Sequence, residues 1–190
     1  MRKKQDQTRR RIIDAAYELF WRSGFARTSI DSIAARSGLT KRTVYSYFRS
    51  KDDLLAAVLA HHGELAMKRL RRIGDRMPAD LDGMIDSFFG QLAGWVSATP
   101  RWSGSGFTRV VVELADLPGH PARAIAQKAK AATESWLADR LAKACVSRPK
   151  AHARDIMLLM EGSMALMLIH GDRSYIEAAS RAAKRLVRER

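Results

Sequence analysis

Residues 24–55 read GFARTSIDSIAARSGLTKRTVYSYFRSKDDLL. Gly24 closes a preceding helix, because a left-handed residue past a helix end strains every side chain except glycine's. Ser29 is a good N-cap, and Asp31 sits in the first turn, where a negative charge suits the helix dipole. Ile30, Ile33 and Ala34 then make one inner face, and Ser37-Gly38 ends the helix. Thr40 caps the next one, whose inner face is Val44 and Phe48. Ser50 caps a further helix with Asp53 three residues on, a capping box with Asp in place of the usual Glu. Two short helices joined by a glycine-containing turn are a helix-turn-helix.

The helix beginning at Thr40 has what a major-groove reader needs. It is short, its inward residues lock it to a neighbour, and its outward residues are cationic or hydrogen-bonding. Lys41, Arg42, Thr43 and Tyr47 are the candidates for reading bases, and Tyr45 packs while reaching a phosphate. Thr40 and Ser46 complete the expected DNA face. Thr28, Ser29 and Lys51 stand at helix N-termini, where backbone N–H groups already attract phosphate. Arg2, Lys3, Lys4, Arg9, Arg10 and Arg11 are expected to form a basic arm that follows the backbone or enters a minor groove.

The rest of the chain is also helical, with no sustained alternation of polar and apolar residues. A first helix over 8–22 places Ile12, Ala16, Leu19 and Phe20 on one face. The helix capped by Ser50 carries Leu54, Leu55, Val58 and Leu59 and runs to about residue 73. Further helices are expected over 80–98, 105–116, 121–146, 149–170 and 174–188. Their stops are Thr99-Pro100, Leu117-Pro118-Gly119, Ser147 and Gly171-Asp172. Pro121 and Pro149 suit first turns, where a missing N–H costs nothing. The fold class is therefore all-α, with about nine helices. A head over 1–50 precedes a larger body over 51–190, and the fourth helix connects them.

A formal net charge of +14 on 190 residues calls for a polyanionic partner. One cysteine, Cys145, excludes an internal disulfide and fits a reducing compartment. Among Leu141, Ala144 and Val146 it is expected to be a buried, inert thiol. Polar residues 5–11 follow the charged start, so no signal peptide is expected. The longest apolar run, 156–169, is interrupted by Glu161, Gly162 and Ser163 and falls short of the ~20 residues a membrane span needs. The expectation is a cytoplasmic protein with no membrane partner.

At this point the chain resembles the TetR family of bacterial transcriptional regulators. The resemblance is carried by Phe20, Gly24-Phe25, Thr28-Ser29-Ile30, Ile33-Ala34, Gly38-Leu39, Thr43-Val44-Tyr45, Phe48 and the run from Ser50 to Leu55. It covers about residues 8–65. Many members have a small residue where Arg42 stands, so an added cationic contact is expected there. The resemblance implies an all-helical homodimer with a DNA-binding head, a ligand-binding body and repression relieved by a small molecule. The stretch 102–121 with His170-Gly171-Asp172 is similar to one recurring C-terminal type in the family.

In the body, Ile156, Leu159, Met160, Met164, Met167 and Leu168 make one helix apolar nearly all round. The last helix has an apolar stripe of Ile176, Ala179, Ala183, Leu186 and Val187. These two helices suit a two-fold four-helix interface, with Ile156, Leu159, Met167, Ile176, Ala179, Ala183 and Leu186 at the dimer contact. The alternative is that they only complete the monomer core. Pocket candidates are Phe88, Phe89, Trp95, Trp102, Phe107, Trp136, Met160 and Met164, with Glu113 and His170 as polar anchors. Plain core packing is the competing reading for each.

His61 and His62 point about 100° apart on a helix and cannot share a metal on one face. No metalloprotease HExxH, phosphate loop or nucleophile elbow is present, so no enzyme, cofactor or metal is expected. The reading is a homodimeric, sequence-specific regulator, expected to be a ligand-responsive repressor at a pseudo-palindromic double-stranded operator. The alternatives are a non-specific basic DNA coat and an enzyme with a helical pocket.

Overall fold

The computed structural model describes residues 2–98 and 104–188. Nine α-helices and no strand occur among the described residues. They are α1 (Arg2–Ser23), α2 (Ile30–Ser37), α3 (Lys41–Tyr47), α4 (Lys51–Gly74), α5 (Leu81–Ala98), α6 (Gly106–Glu113), α7 (Pro121–Lys143), α8 (Pro149–His170) and α9 (Ser174–Arg188). None is long and apolar enough to cross a membrane. Thr99, Pro100 and Trp102 lie outside the described residues.

The chain divides into two compact units, and the division differs from the expected one near residue 50. The first holds Met1–Leu65 and Gly106–Ala129; the second holds Ala66–Ser105 and Lys130–Arg190. The cause lies in the first core, where Ile12, Ile33 and Val44 share one buried cluster with Leu54, Leu55 and Val58 of α4. Val110, Leu114 and Ala122, from α6, its C-terminal turn and α7, belong to the same cluster.

Local chemistry sets the boundaries. The Thr40 side chain accepts the Thr43 N–H at 3.1 Å, as an N-cap should. Gly38 adopts φ 63°, and the Leu39 N–H folds back to the Ala34 carbonyl, closing α2. Ser50 Oγ accepts the Asp53 N–H at 3.0 Å, while the Asp53 carboxylate reaches past Ser50 to the Arg49 N–H. The capping box is thus closed one residue further out than the usual form.

Three boundaries depart from expectation. α1 begins at Arg2, so the basic arm is the first turns of a helix rather than a separate strand of chain. α6 ends at Glu113, because Leu117 precedes Pro118 and is disfavoured in helical geometry. α7 ends at Lys143, where the Val146 N–H turns back to the Leu141 carbonyl and the Cys145 N–H to Ala142. This Schellman closure puts Cys145 at φ 57° and exposes its thiol, which corrects the expectation of a buried one.

In the second unit, α9 packs on α8 and α5. Ile176, Ala179, Ser180, Ala183 and Val187 are its buried face. Across to α5, Ser180 Oγ and Lys184 Nζ each bond the Asp86 carboxylate at 2.8 Å, and Arg188 pairs with Asp82. The Lys184 hydrogen bond, followed by that of Ser180, lowers the Asp86 pKa below the ordinary carboxylate value.

Candidate nucleic-acid interface

Val44 is fully buried and Phe48 nearly so, and these two side chains fix α3 to the first core. The other side of α3 faces solvent, with Lys41, Arg42, Tyr45 and Ser46 all exposed. Thr43 and Tyr47 are half-buried, and Tyr47 packs against the core. Thr40 serves as the cap, and its hydroxyl also bonds that of Thr43 at 2.8 Å. Ser46 Oγ donates to the Thr43 carbonyl at 2.7 Å. Lys41 Nζ donates to the Asp31 carboxylate of α2 at 2.9 Å. That hydrogen bond raises the Lys41 pKa, so the ammonium is charged throughout the neutral range.

The turn between α1 and α2 is held from two sides. Lys51 Nζ donates to the carbonyls of Phe25 (3.0 Å), Thr28 (3.2 Å) and Ala26 (3.4 Å) and lies 4.4 Å from the centre of the Phe25 ring. The Glu113 carboxylate accepts the N–H groups of Phe25 (2.8 Å) and Ala26 (3.2 Å). A Cβ on Gly24 would lie 2.9 Å from the Glu113 Oε1, so this contact needs a glycine as well as its φ of 84°. Arg109 Nη1 donates to the Trp21 carbonyl at 2.8 Å from the same helix as Glu113.

Three expected roles therefore shift. Lys51 has three N–H donors, and three main-chain carbonyls take them. Thr28 is buried, with its hydroxyl donating to the Gly24 carbonyl at 2.7 Å, so it staples the turn from inside. Ser29 remains exposed and caps α2 by accepting the Ser32 N–H at 3.1 Å. In the basic start of α1, Arg11 donates to the Ser37 carbonyl at 2.7 Å and Arg9 stacks 5.2 Å from the Phe48 ring centre. Sequence reasoning passed over Arg27 and Arg49, which are exposed beside the N-terminus of α2 and after α3, with no ion pair among the described residues. Their signal was only a cation in each helix-flanking turn.

The model of bacterial regulatory proteins of the tetR family matches residues 12–58, the stretch that builds this helix-turn-helix. The chain belongs to the TetR family. It is 46% identical over 55 residues to the HTH-type transcriptional regulator SrpR of Pseudomonas putida, a match covering 29% of this chain and 26% of SrpR. It is 30% identical over 128 residues to the HTH-type transcriptional repressor SCO4008 of Streptomyces coelicolor, covering 64% of this chain and 62% of that one. The chain thus spans about a quarter of SrpR and under two thirds of SCO4008. The crystal structure of SCO4454, a TetR-family transcriptional regulator from the same species, shares the fold. Its TM-score is 0.85 at 22% identity, covering 97% of this chain and 96% of that one.

In this TetR-family body, the expected pocket residues separate. Phe88 and Trp136 line a cavity of about 10 Å³ together with Met77, Met84, Phe89 and Arg140. Met160 and Met164 are buried in the same unit's core, and Trp95 packs against that core. Phe107 and Glu113 belong to the first unit, where Glu113 clamps the α1–α2 turn. His170 is exposed and stacks on Tyr175, with ring centres 5.2 Å apart.

The residues expected at a dimer contact also divide. Ile156, Met167, Ile176, Ala179 and Ala183 are buried within the second unit, and Leu159 and Leu186 are half-buried. The five buried residues complete the unit's own core, because α5 and α9 cover that side of α8. What stays open on α8 is Leu158 (68% exposed), Gly162, Leu166 and Ile169 (72% exposed). These recur at three- and four-residue spacing and so share one face.

Proposed function

We propose that the chain is a sequence-specific DNA-binding transcriptional repressor that acts as a homodimer and releases its operator on binding a small molecule. The observation that carries the reading is α3. It is capped by Thr40, pinned to the core by Val44 and Phe48, and presents Lys41, Arg42, Tyr45 and Ser46 to solvent. A helix fixed on one side and polar on the other suits a major groove. The formal net charge of +14 supplies the sequence-independent part of the affinity.

Pairing two heads needs a contact between bodies, and the exposed apolar face of α8 is the surface for it. Gly162 lies on that face with open space above it, so two such helices can approach closely. The two α3 helices then enter major grooves about 34–36 Å apart on a pseudo-palindromic site. Ligand and operator weaken each other's binding reciprocally, by ~1–3 kcal/mol for typical coupling.

The test is selection of bound duplexes from a random pool at about 150 mM salt, where exposed charges are screened. A two-fold-symmetric motif is the expected result. Bound DNA without a motif would leave only a basic coat and remove the base-reading roles of Lys41 and Arg42.

A further inference from the structure

The cavity in the second unit lies among α5, α7, α8 and the turn after α4. Its wall is apolar apart from Arg140. At about 10 Å³ it has room for a single water, yet a water needs two to four polar partners and this wall offers one cation. The space is therefore made for something other than water.

Arg140 is unusual for a cation in such a place. Its side chain is only 28% exposed, and it lies over Trp136 with the guanidinium carbon 5.5 Å from the ring centre. A guanidinium carries five N–H donors. No acceptor among the described residues is within hydrogen-bond distance of it, and the nearest carboxylate, Asp75, stands 4.0 Å away with its own side chain 78% exposed. A partly buried cation without an acceptor is costly unless an anion comes to it. The backbone makes room for this arrangement: a Cβ at Gly74 would fall 2.4 Å from the Arg140 Nη2 and 2.9 Å from Trp136.

We infer that this cavity is a receptor for a compact aromatic monocarboxylate, whose ring enters among Phe88, Phe89 and Trp136 and whose carboxylate pairs with Arg140. A planar guanidinium matches a carboxylate with two parallel hydrogen bonds. One cation balances one negative charge, which favours a carboxylate over a phosphate dianion. Met77 and Met84 form the yielding part of the wall, since an unbranched thioether side chain repacks readily as a ring enters. The inference gives a ligand class to the effector reading above and rests on it for its regulatory meaning, but not for binding itself.

The test is calorimetric titration of the full-length protein with naphthalene carboxylate and, separately, with the uncharged naphthalene carboxamide of the same shape. The protein is expected to prefer the carboxylate by about tenfold or more, as a charge-assisted hydrogen bond implies. Arg140→Gln should abolish that preference and leave carboxamide binding within about twofold, since the apolar wall is untouched. Equal affinity for the two compounds, no carboxylate binding, or a preference that survives Arg140→Gln would overturn the proposal. The wild-type comparison decides even if the variant fails to fold. Operator affinity measured with saturating carboxylate separates the two readings. Arg140-dependent binding without any change at the operator keeps the site and refutes the effector role.

Discussion

Lys51 shows how a cation near a helix N-terminus can be committed before DNA arrives. Its three donors hold the carbonyls of the 25–28 turn, and Glu113 holds N–H groups of the same turn. Lys51→Met keeps the apolar stem and removes the donors, so it should cost about 1–3 kcal/mol of stability. Urea unfolding checks the cost. The salt slope of DNA binding should stay unchanged; a slope reduced by about one would instead place Lys51 on a phosphate. Asp31 makes the opposite case. Its carboxylate holds Lys41 and adds a negative charge beside the α3 face. Asp31→Asn should strengthen binding to specific and random duplexes alike, by roughly two- to tenfold at low salt, as read by fluorescence anisotropy. No change would show that Lys41 leaves Asp31 without cost or does not meet DNA. The caps at Ser29, Thr40 and Ser50 were legible in the sequence because each closes on an N–H three residues away. The roles of Thr28 and Lys51 were not. Thr28 resembles a cap but bonds back to Gly24, and the partners of Lys51 lie 23 to 26 residues distant.

At the scale of the element, periodicity locates helices well and chooses their neighbours poorly. The bounds of α8 and α9 match their expected bounds, because Pro149, Gly171 and the flanking polar residues act locally. Which side of α8 meets which partner was illegible, since a helix apolar nearly all round offers no polar face to orient it. Packing decides: α5 and α9 take Ile156 and Met167, which leaves Leu158 and Ile169 outside. The dimer contact consequently moves to the outer face. Ile169→Glu, or Leu158→Glu, should turn a dimer into a monomer while changing monomer stability by only about 0.5 kcal/mol, as exposed substitutions do. Light scattering gives the mass and urea unfolding the stability. A variant that remains dimeric would mean that another surface pairs the subunits. Ala183→Glu, on the buried face, should unfold the protein rather than separate it, because it places an unpaired charge in the core.

For the molecule as a whole, a net charge of +14 belongs to a chain whose stability also depends on pH, and one histidine dominates that dependence above the carboxylate range. His62 stacks on Tyr17 with ring centres 3.4 Å apart, and its Nε2 is buried with no hydrogen-bond partner. Burial, then His61, then Arg10 lower its pKa to about 4. Burial is also the main cause that lowers the pKa of His61. In the unfolded chain a histidine binds its proton near pH ~6.5. Between about 6.5 and 4 the unfolded state therefore holds more protons than the folded one, and stability falls as pH falls through that window. Above it the His62 contribution is complete and flat. Asp86, whose pKa is lowered by Lys184 and Ser180, loses its contribution only at lower pH, as carboxylates protonate. The two effects are thus separable along the pH axis. Urea midpoints taken from about pH 7 to 5 should decline in the wild type, and His62→Phe, which keeps the stack on Tyr17, should flatten most of that decline. A wild-type midpoint that stays level over the same range, or a decline that His62→Phe leaves untouched, would show that the ring is not held neutral in the fold.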